Sequence, residues 1–300
     1  LVGEKNKSRT FIRMRILYIG SVEFSHKVLE KLITLDSQIV GVCSKKSSLF
    51  NSDFFDLKPT CLKHSIPFKY CNDINSEKTI EWIKTKKPDI IFCFGWSSLI
   101  KKNLLSIPPI GVLGYHPTKL PNNRGRHPLI WTVILNLQTS ASTFFFMTED
   151  ADNGDILSQV DFKISYNDDA RTIYDKVTEI ALNQVEVFYP QLISNNYSLI
   201  KQDHNSSNSW RRRSNDDGII DFRMSSNAIY NLVRGLSKPY IGAHINYNGQ
   251  EIKIWKVREI ENIKKNIEPG KVLEINSNSF IVKTMDNALE ILDHDFESLP

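Results

Sequence analysis

The chain has 300 residues, 41% hydrophobic and 24% charged, a balance that suits a globular protein able to bury one large core or two moderate ones. Its 38 lysines and arginines exceed its 34 acidic residues by only +4, which accommodates a phosphate-bearing ligand without demanding a nucleic-acid duplex. No apolar run approaches membrane-spanning length, and Cys43, Cys61, Cys71 and Cys93 show no CxxC spacing, so the expectation is a cytoplasmic protein with no membrane partner, no disulfide framework and no metal.

Residues 1–13 are polar and basic and are expected to be a disordered extension outside the fold. From Arg15 to Gly20 an apolar run reads as a strand ending at a glycine, and Val28, Leu29, Leu32 and Ile33 then recur at helical spacing. Strands are expected at 38–43 and 66–70, with helices at 53–64 and 77–86. The continuous apolar run 89–95 reads as a strand buried on both faces. This β-α-β rhythm predicts an α/β fold with a doubly wound, mostly parallel sheet, whose ligands bind at the carboxyl ends of the strands. Gly20 alone is no GxGxxG fingerprint, so dinucleotide binding is not indicated.

Beyond Val112 a helix is expected over 127–136, strands over 142–147 and 156–164, and a long helix over 171–192. Trp131 and Trp255 read as core. The Asn- and Ser-rich stretch around 194–209 reads as a linker, giving a first domain over 14–195, a linker over 196–215 and a small domain over 216–300. In that small domain a mostly helical segment over 219–243 precedes five short strands at even spacing, a barrel-like pattern.

Three clusters could carry chemistry. His116 follows the apolar run 110–113 and precedes Pro117; it is either a general acid/base at a strand end or a loop histidine bonded to a carbonyl. The segment Leu120-Pro121-Asn122-Asn123-Arg124-Gly125-Arg126 joins a stiff proline to a glycine that permits close approach, and its two arginines could clamp an anion. Asp152 lies in the turn 150–155, which lacks the length and terminal glutamate of an EF-hand loop. Trp96, after Gly95, could line a ligand site or pack. The triplet Arg211-Arg212-Arg213 is either a solvated run or a phosphate contact.

Taken together, His116-Pro117-Thr118, Leu120-Pro121, Arg124-Gly125-Arg126, Pro128, Trp131 and Asp152-Asn153-Gly154-Asp155-Ile156 resemble the formyltransferases that use N10-formyltetrahydrofolate. That family includes methionyl-tRNA formyltransferases and sugar N-formyltransferases. The resemblance extends over residues 14–293, through Gly218-Ile219-Ile220-Asp221, the run 229–234 and Pro239-Tyr240-Ile241-Gly242-Ala243. It implies a Rossmann-like catalytic domain and a smaller, OB-like C-terminal β-domain. His116 and Asp152 match the family's catalytic histidine and aspartate. Gly114 stands where the asparagine of the family's Asn-x-His belongs, so the side chain that helps hold the developing oxyanion is missing.

The resemblance places folate against Gly95, Trp96, Leu120, Pro121, Arg124 and Gly125, and brings Arg126 to the nucleotide phosphates of an acceptor. The loop 44–53 carries two lysines and no Pro-Gly-Arg run, which is similar to enzymes acting on nucleotide-linked amino sugars rather than on tRNA. The expected partner is therefore a small nucleotide-linked sugar, with a homodimer compatible. The alternatives are methionyl-tRNA as acceptor, or a scaffold that binds folate or sugar nucleotide without catalysis.

Overall fold

The computed structural model describes residues 14–48, 51–261 and 266–299; the expected extension over 1–13 and part of the loop 44–53 lie outside them. The first strand and helix are β1 (Arg15–Ile19) and α1 (Glu23–Thr34). Phe24, Val28, Leu29 and Leu32 form the buried face of α1. The chain continues through β2 (Gln38–Ser44), α2 (Lys58–Lys63), β3 (Phe68–Tyr70), α3 (Glu77–Thr85), β4 (Ile90–Cys93), α4 (Lys102–Leu105) and β5 (Gly111–His116). A two-residue strand β6 (Arg124–Gly125) and helix α5 (Pro128–Ile134) lead into β7 (Thr139–Phe146) and β8 (Ile156–Lys163).

These strands build one seven-stranded sheet in the order β3-β2-β1-β4-β5-β7-β8. It is parallel as far as β5, while β5–β7 and β7–β8 pair antiparallel. The change of direction has a physical cause. Helix α5 packs on a later helix instead of running back along the sheet, so the chain re-enters at the end where it left. Strand order reverses between β1 and β4, and the crevice at their carboxyl ends is where such sheets accept ligands.

Helix α6 (Ala170–Ile193) covers the sheet beside α1. Its buried Ile173, Val177, Ala181, Val185, Phe188 and Leu192 follow the three-to-four-residue helical repeat. Asp169 caps it by accepting from the Thr172 N–H at 2.8 Å, while the Thr172 hydroxyl accepts from the Asp169 N–H at 2.8 Å; such caps contribute about 1 kcal/mol. Arg171 grips Glu23 of α1 bidentately at 2.7 and 2.8 Å, and that hydrogen bonding pulls the Glu23 carboxyl down to about 2.

After the short strand β9 (Ser209–Trp210) the smaller part contains α7 (Ser226–Leu236) and strands β10 (Ala243–Tyr247), β11 (Gln250–Ile260), β12 (Val272–Ile275), β13 (Phe280–Lys283) and β14 (Ala288–His294). They form an antiparallel sheet ordered β10-β11-β14-β13-β12. Ile229, Leu232 and Val233 of α7 pack with Ile254, Phe280, Leu289 and Ile291, and Ile130 of α5 joins the same cluster. The helix expected over 219–243 is confined to α7. The Ile220 N–H bonds the His244 carbonyl at 2.7 Å, drawing residues 219–220 to the sheet edge, and Ser237-Lys238-Pro239 ends the helix. Among the described residues no helix is long and apolar enough to cross a membrane.

Candidate active site

His116 is the last residue of β5, paired with Thr143 of β7, and is only 5% exposed. Its Nε2 lies 2.8 Å from the Asn123 carbonyl. A carbonyl only accepts, so Nε2 carries the hydrogen and donates. The lone pair of the neutral ring therefore sits on Nδ1, which faces Asp152 Oδ2 at 3.7 Å. That gap is too long for a direct hydrogen bond, and two acceptors face each other across it. A donor group placed beside the pair satisfies both, and a proton taken up at Nδ1 then meets a carboxylate.

The receiving loop is tightly held. The Thr118 hydroxyl donates to the Asn123 carbonyl at 3.1 Å, the Thr143 hydroxyl to the Thr118 carbonyl at 2.6 Å, and Gln159 Nε2 to the Leu120 carbonyl at 3.0 Å. Leu120 packs against Phe145 and Ile156, anchoring Pro121 beyond it. Gly125 has φ +100°, and a Cβ there would lie 2.3 Å from the Trp210 carbonyl oxygen, so only glycine fits. The Gly125 N–H donates to Asp152 Oδ2 at 2.9 Å. Asp152 itself holds a left-handed backbone at φ +54°, uncommon for a residue with a side chain.

The segment expected as a linker joins the two parts and also straps this site. Its β9 pairs with β6, Asn208 Oδ1 accepts the Asn123 N–H at 2.7 Å, and Gln202 bonds the Asp152 turn. Gln202, Asn208 and Gln159 carry no local sequence pattern because they act through long-range contacts; Thr118 stands in the motif, but its bond to the Asn123 carbonyl is visible only in the fold. The excess of Asn and Ser around 194–209 signals a turn-rich path and nothing more.

Gly95 and Trp96 follow β4, beside the end of β5. Lys45 stands 4.9 Å over the Trp96 ring and bonds Ser97 Oγ at 3.2 Å, while Arg126 Nη1 donates to the Ser97 carbonyl at 2.5 Å. Among the described residues Trp96 Nε1 and Asn153 Oδ1, one donor and one acceptor, are buried and have no hydrogen-bond partner. The two loop arginines do not share partners. Arg124 Nη2 donates to Gln202 Oε1 at 2.6 Å and lies 3.1 Å from His204 Nδ1, so it braces the loop, whereas Arg126 points to the Gly95–Ser97 turn.

The arginine triplet also divides. Arg211 pairs with Asp217 at 2.8 Å; Arg211 and Arg213 lie 5.3 and 4.7 Å from the Trp131 ring. Trp131 is thus a half-buried platform rather than core, and Trp255, under Lys238 and bonded to Asp295, is likewise half-buried. Burial, followed by the charge of Arg212, lowers the Arg126 pKa, with Asp152 opposing. His127 is pulled down to about 4 by burial and by the charges of Arg126, Arg213 and Arg212. Arg126, Arg212 and Arg213 thus lie close enough to His127 for their charges to act on it.

Gly114 pairs with Cys93 on one side and Phe145 on the other. A Cβ there would fall 2.8 Å from Met147 Cγ and 3.0 Å from Phe145 Cζ. The space that an asparagine would need is filled by a thioether and an aromatic edge. Loss of the polar side chain is thus matched by packing from β7 and the residue after it.

A parallel-dominated sheet thus carries His116 and Asp152 at its carboxyl edge and is joined to a small antiparallel sheet. Residues 14–186 match the family model described as formyl transferase, and residues 212–298 that described as formyl transferase, C-terminal domain. The chain belongs to the formyl transferase family, enzymes that transfer formyl groups. It is 32% identical over 286 residues to the bifunctional polymyxin resistance protein ArnA of Wigglesworthia glossinidia brevipalpis, covering 94% of this chain but 43% of that relative. The chain thus spans less than half the length of ArnA. It is 28% identical to the methionyl-tRNA formyltransferase of Alkaliphilus oremlandii, covering 94% of this chain and 92% of that one. A crystal structure of the N-formyltransferase from Helicobacter canadensis, in complex with folinic acid and dTDP-3-aminofucose, shares the fold with a TM-score of 0.70 at 19% identity, over 94% of this chain and 99% of the other.

Proposed function

We propose that this protein transfers a formyl group from N10-formyltetrahydrofolate to the amine of a nucleotide-linked amino sugar. When bound, the folate supplies the formyl carbon. The orphaned Trp96 N–H and Asn153 Oδ1 fit a ligand rich in both acceptors and donors, and Gly95, Leu120, Pro121 and Gly125 are the residues proposed to line its site. Arg124, bonded to Gln202, braces the loop that carries Gly125.

His116 acts through Nδ1, taking the proton that the acceptor amine sheds as its nitrogen bonds the formyl carbon, and giving it up to the donor nitrogen as the bond from that nitrogen to the formyl carbon breaks. Asp152, fixed by the Gly125 N–H, faces the imidazolium so formed. The near-complete burial of His116 keeps water from competing for that proton. Arg126, with Arg212 beside it, receives the diphosphate of the acceptor.

The observation that carries this reading is the His116–Asp152 pair, 3.7 Å apart, beside a loop whose Arg126 feels the charges of both Arg212 and Asp152. The ArnA relative and the dTDP-3-aminofucose held by the Helicobacter canadensis enzyme support the acceptor class. A second reading, with methionyl-tRNA as acceptor, is favoured by the Alkaliphilus oremlandii relative, matched along nearly its whole length. Salt separates the two. Binding of charged initiator tRNA through many phosphates would fall steeply with ionic strength, whereas the proposed acceptor engages few charges and should show a shallow slope. Tight, steeply salt-dependent tRNA binding overturns the sugar assignment.

A further inference from the structure

We propose that Gln202 is the positioning residue that holds Asp152 against His116, an inference that rests on reading these two as the proton-transfer pair. Gln202 lies in the strap between the two sheets, is 6% exposed, and engages both its amide hydrogens and its carbonyl oxygen. Its Nε2 donates to the Asp152 carbonyl at 3.0 Å and to the Gly154 carbonyl at 2.6 Å. Its Oε1 accepts from Arg124 Nη2 at 2.6 Å.

These bonds close a ring. Arg124 precedes Gly125, and the Gly125 N–H donates to the Asp152 carboxylate at 2.9 Å. One side-chain amide thus ties the backbone of the aspartate turn to the loop that carries the carbonyl partner of His116. The turn needs such a tie. Asp152 sits at φ +54°, and Gly154 is pressed so close to β7 that a Cβ would fall 1.6 Å from the Phe146 carbonyl oxygen. The carbonyls of Asp152 and Gly154 both turn toward the strap, and Gln202 supplies their donors. Its own position is set independently, because Ile200 and Ile156 exchange backbone hydrogen bonds at 2.8 and 2.9 Å two residues upstream.

Two variants separate positioning from packing. Gln202→Glu keeps the acceptor for Arg124 but sets a carboxylate oxygen against two carbonyls; Gln202→Met keeps the length and removes every polar contact. Hydrogen exchange of the Gly125 amide in the ligand-free protein reports whether the Asp152 carboxylate is in place, whatever the acceptor is. In both variants it should exchange at least about 10-fold faster, while the Ile156 and Ile200 amides keep their protection. In formyl transfer, kcat should fall about 10-fold or more with acceptor KM within about 2-fold, and the Gln202→Glu effect should vanish in an Asp152→Asn background. Wild-type protection of Gly125 in both variants, or full additivity with Asp152→Asn, overturns the proposal. A wild-type protein that formylates no acceptor sinks the functional reading instead, and the Gly125 exchange still decides the positioning.

Discussion

Replacing Asp152 by asparagine keeps the shape of the turn and removes one charge. The amide oxygen can still accept the Gly125 N–H, so the fold is expected to hold, with Tm within about 2 °C of wild type. The catalytic cost follows from the 3.7 Å separation between Asp152 Oδ2 and His116 Nδ1. Two unit charges at that distance attract by about 4 kcal/mol at an effective dielectric constant of about 20. Solvent reaches the Asp152 side chain, which is 17% exposed, so about 2–3 kcal/mol of this is expected to survive in the transition state. That loss predicts a fall in kcat of about 10²-fold, with KM for both substrates little changed. Steady-state transfer at saturating formyl-folate measures it. A kcat within about 3-fold of wild type would refute the electrostatic role of Asp152.

His127, held down to about 4 against an ordinary 6.5, binds a proton more readily when unfolded. Stability should therefore decline as pH falls from about 6.5 toward about 4, and His127→Gln should flatten that leg of a urea-midpoint profile; identical profiles would show that this histidine does not couple to folding. Gly114→Asn is expected to cost about 1–3 kcal/mol through its clash with Met147, and Gly114→Asn combined with Met147→Ala to recover most of the loss in thermal melts. Equal stability of the single variant and wild type would show that the site has room for the asparagine. Arg126→Met should raise the acceptor KM about 10–100-fold and leave that of formyl-folate unchanged; the reverse pattern would move Arg126 to the folate side.

Much of the fold was legible because its strands are apolar runs and its helices keep an apolar repeat. The strand over 89–95 and the long helix over 171–192 needed no long-range information. The antiparallel return at β7 was not legible, since it depends on where α5 packs and not on any property of residues 139–146. Trp131 looked like core because a tryptophan inside an apolar helix usually is; two arginines from a distant segment made it a platform instead. At the site, the motif named His116 and Asp152, and the structure brings them within 3.7 Å. What the sequence could not disclose was how they are held. Gln202, Asn208 and Thr118 act through hydrogen bonds to backbone atoms that only the folded chain brings near. Gly114 was visible as a departure, yet the reason it must stay small lies in Met147, beyond the neighbouring strand.

The central claim is tested most directly by mass spectrometry of products formed from N10-formyltetrahydrofolate and a panel of dTDP-, UDP- and GDP-linked amino sugars, run beside methionyl-tRNA. The account predicts that at least one sugar nucleotide gains a single formyl group with wild-type protein and gains none with a folded His116→Ala variant. Formylation of methionyl-tRNA alone, or undiminished sugar formylation by the variant, would contradict it.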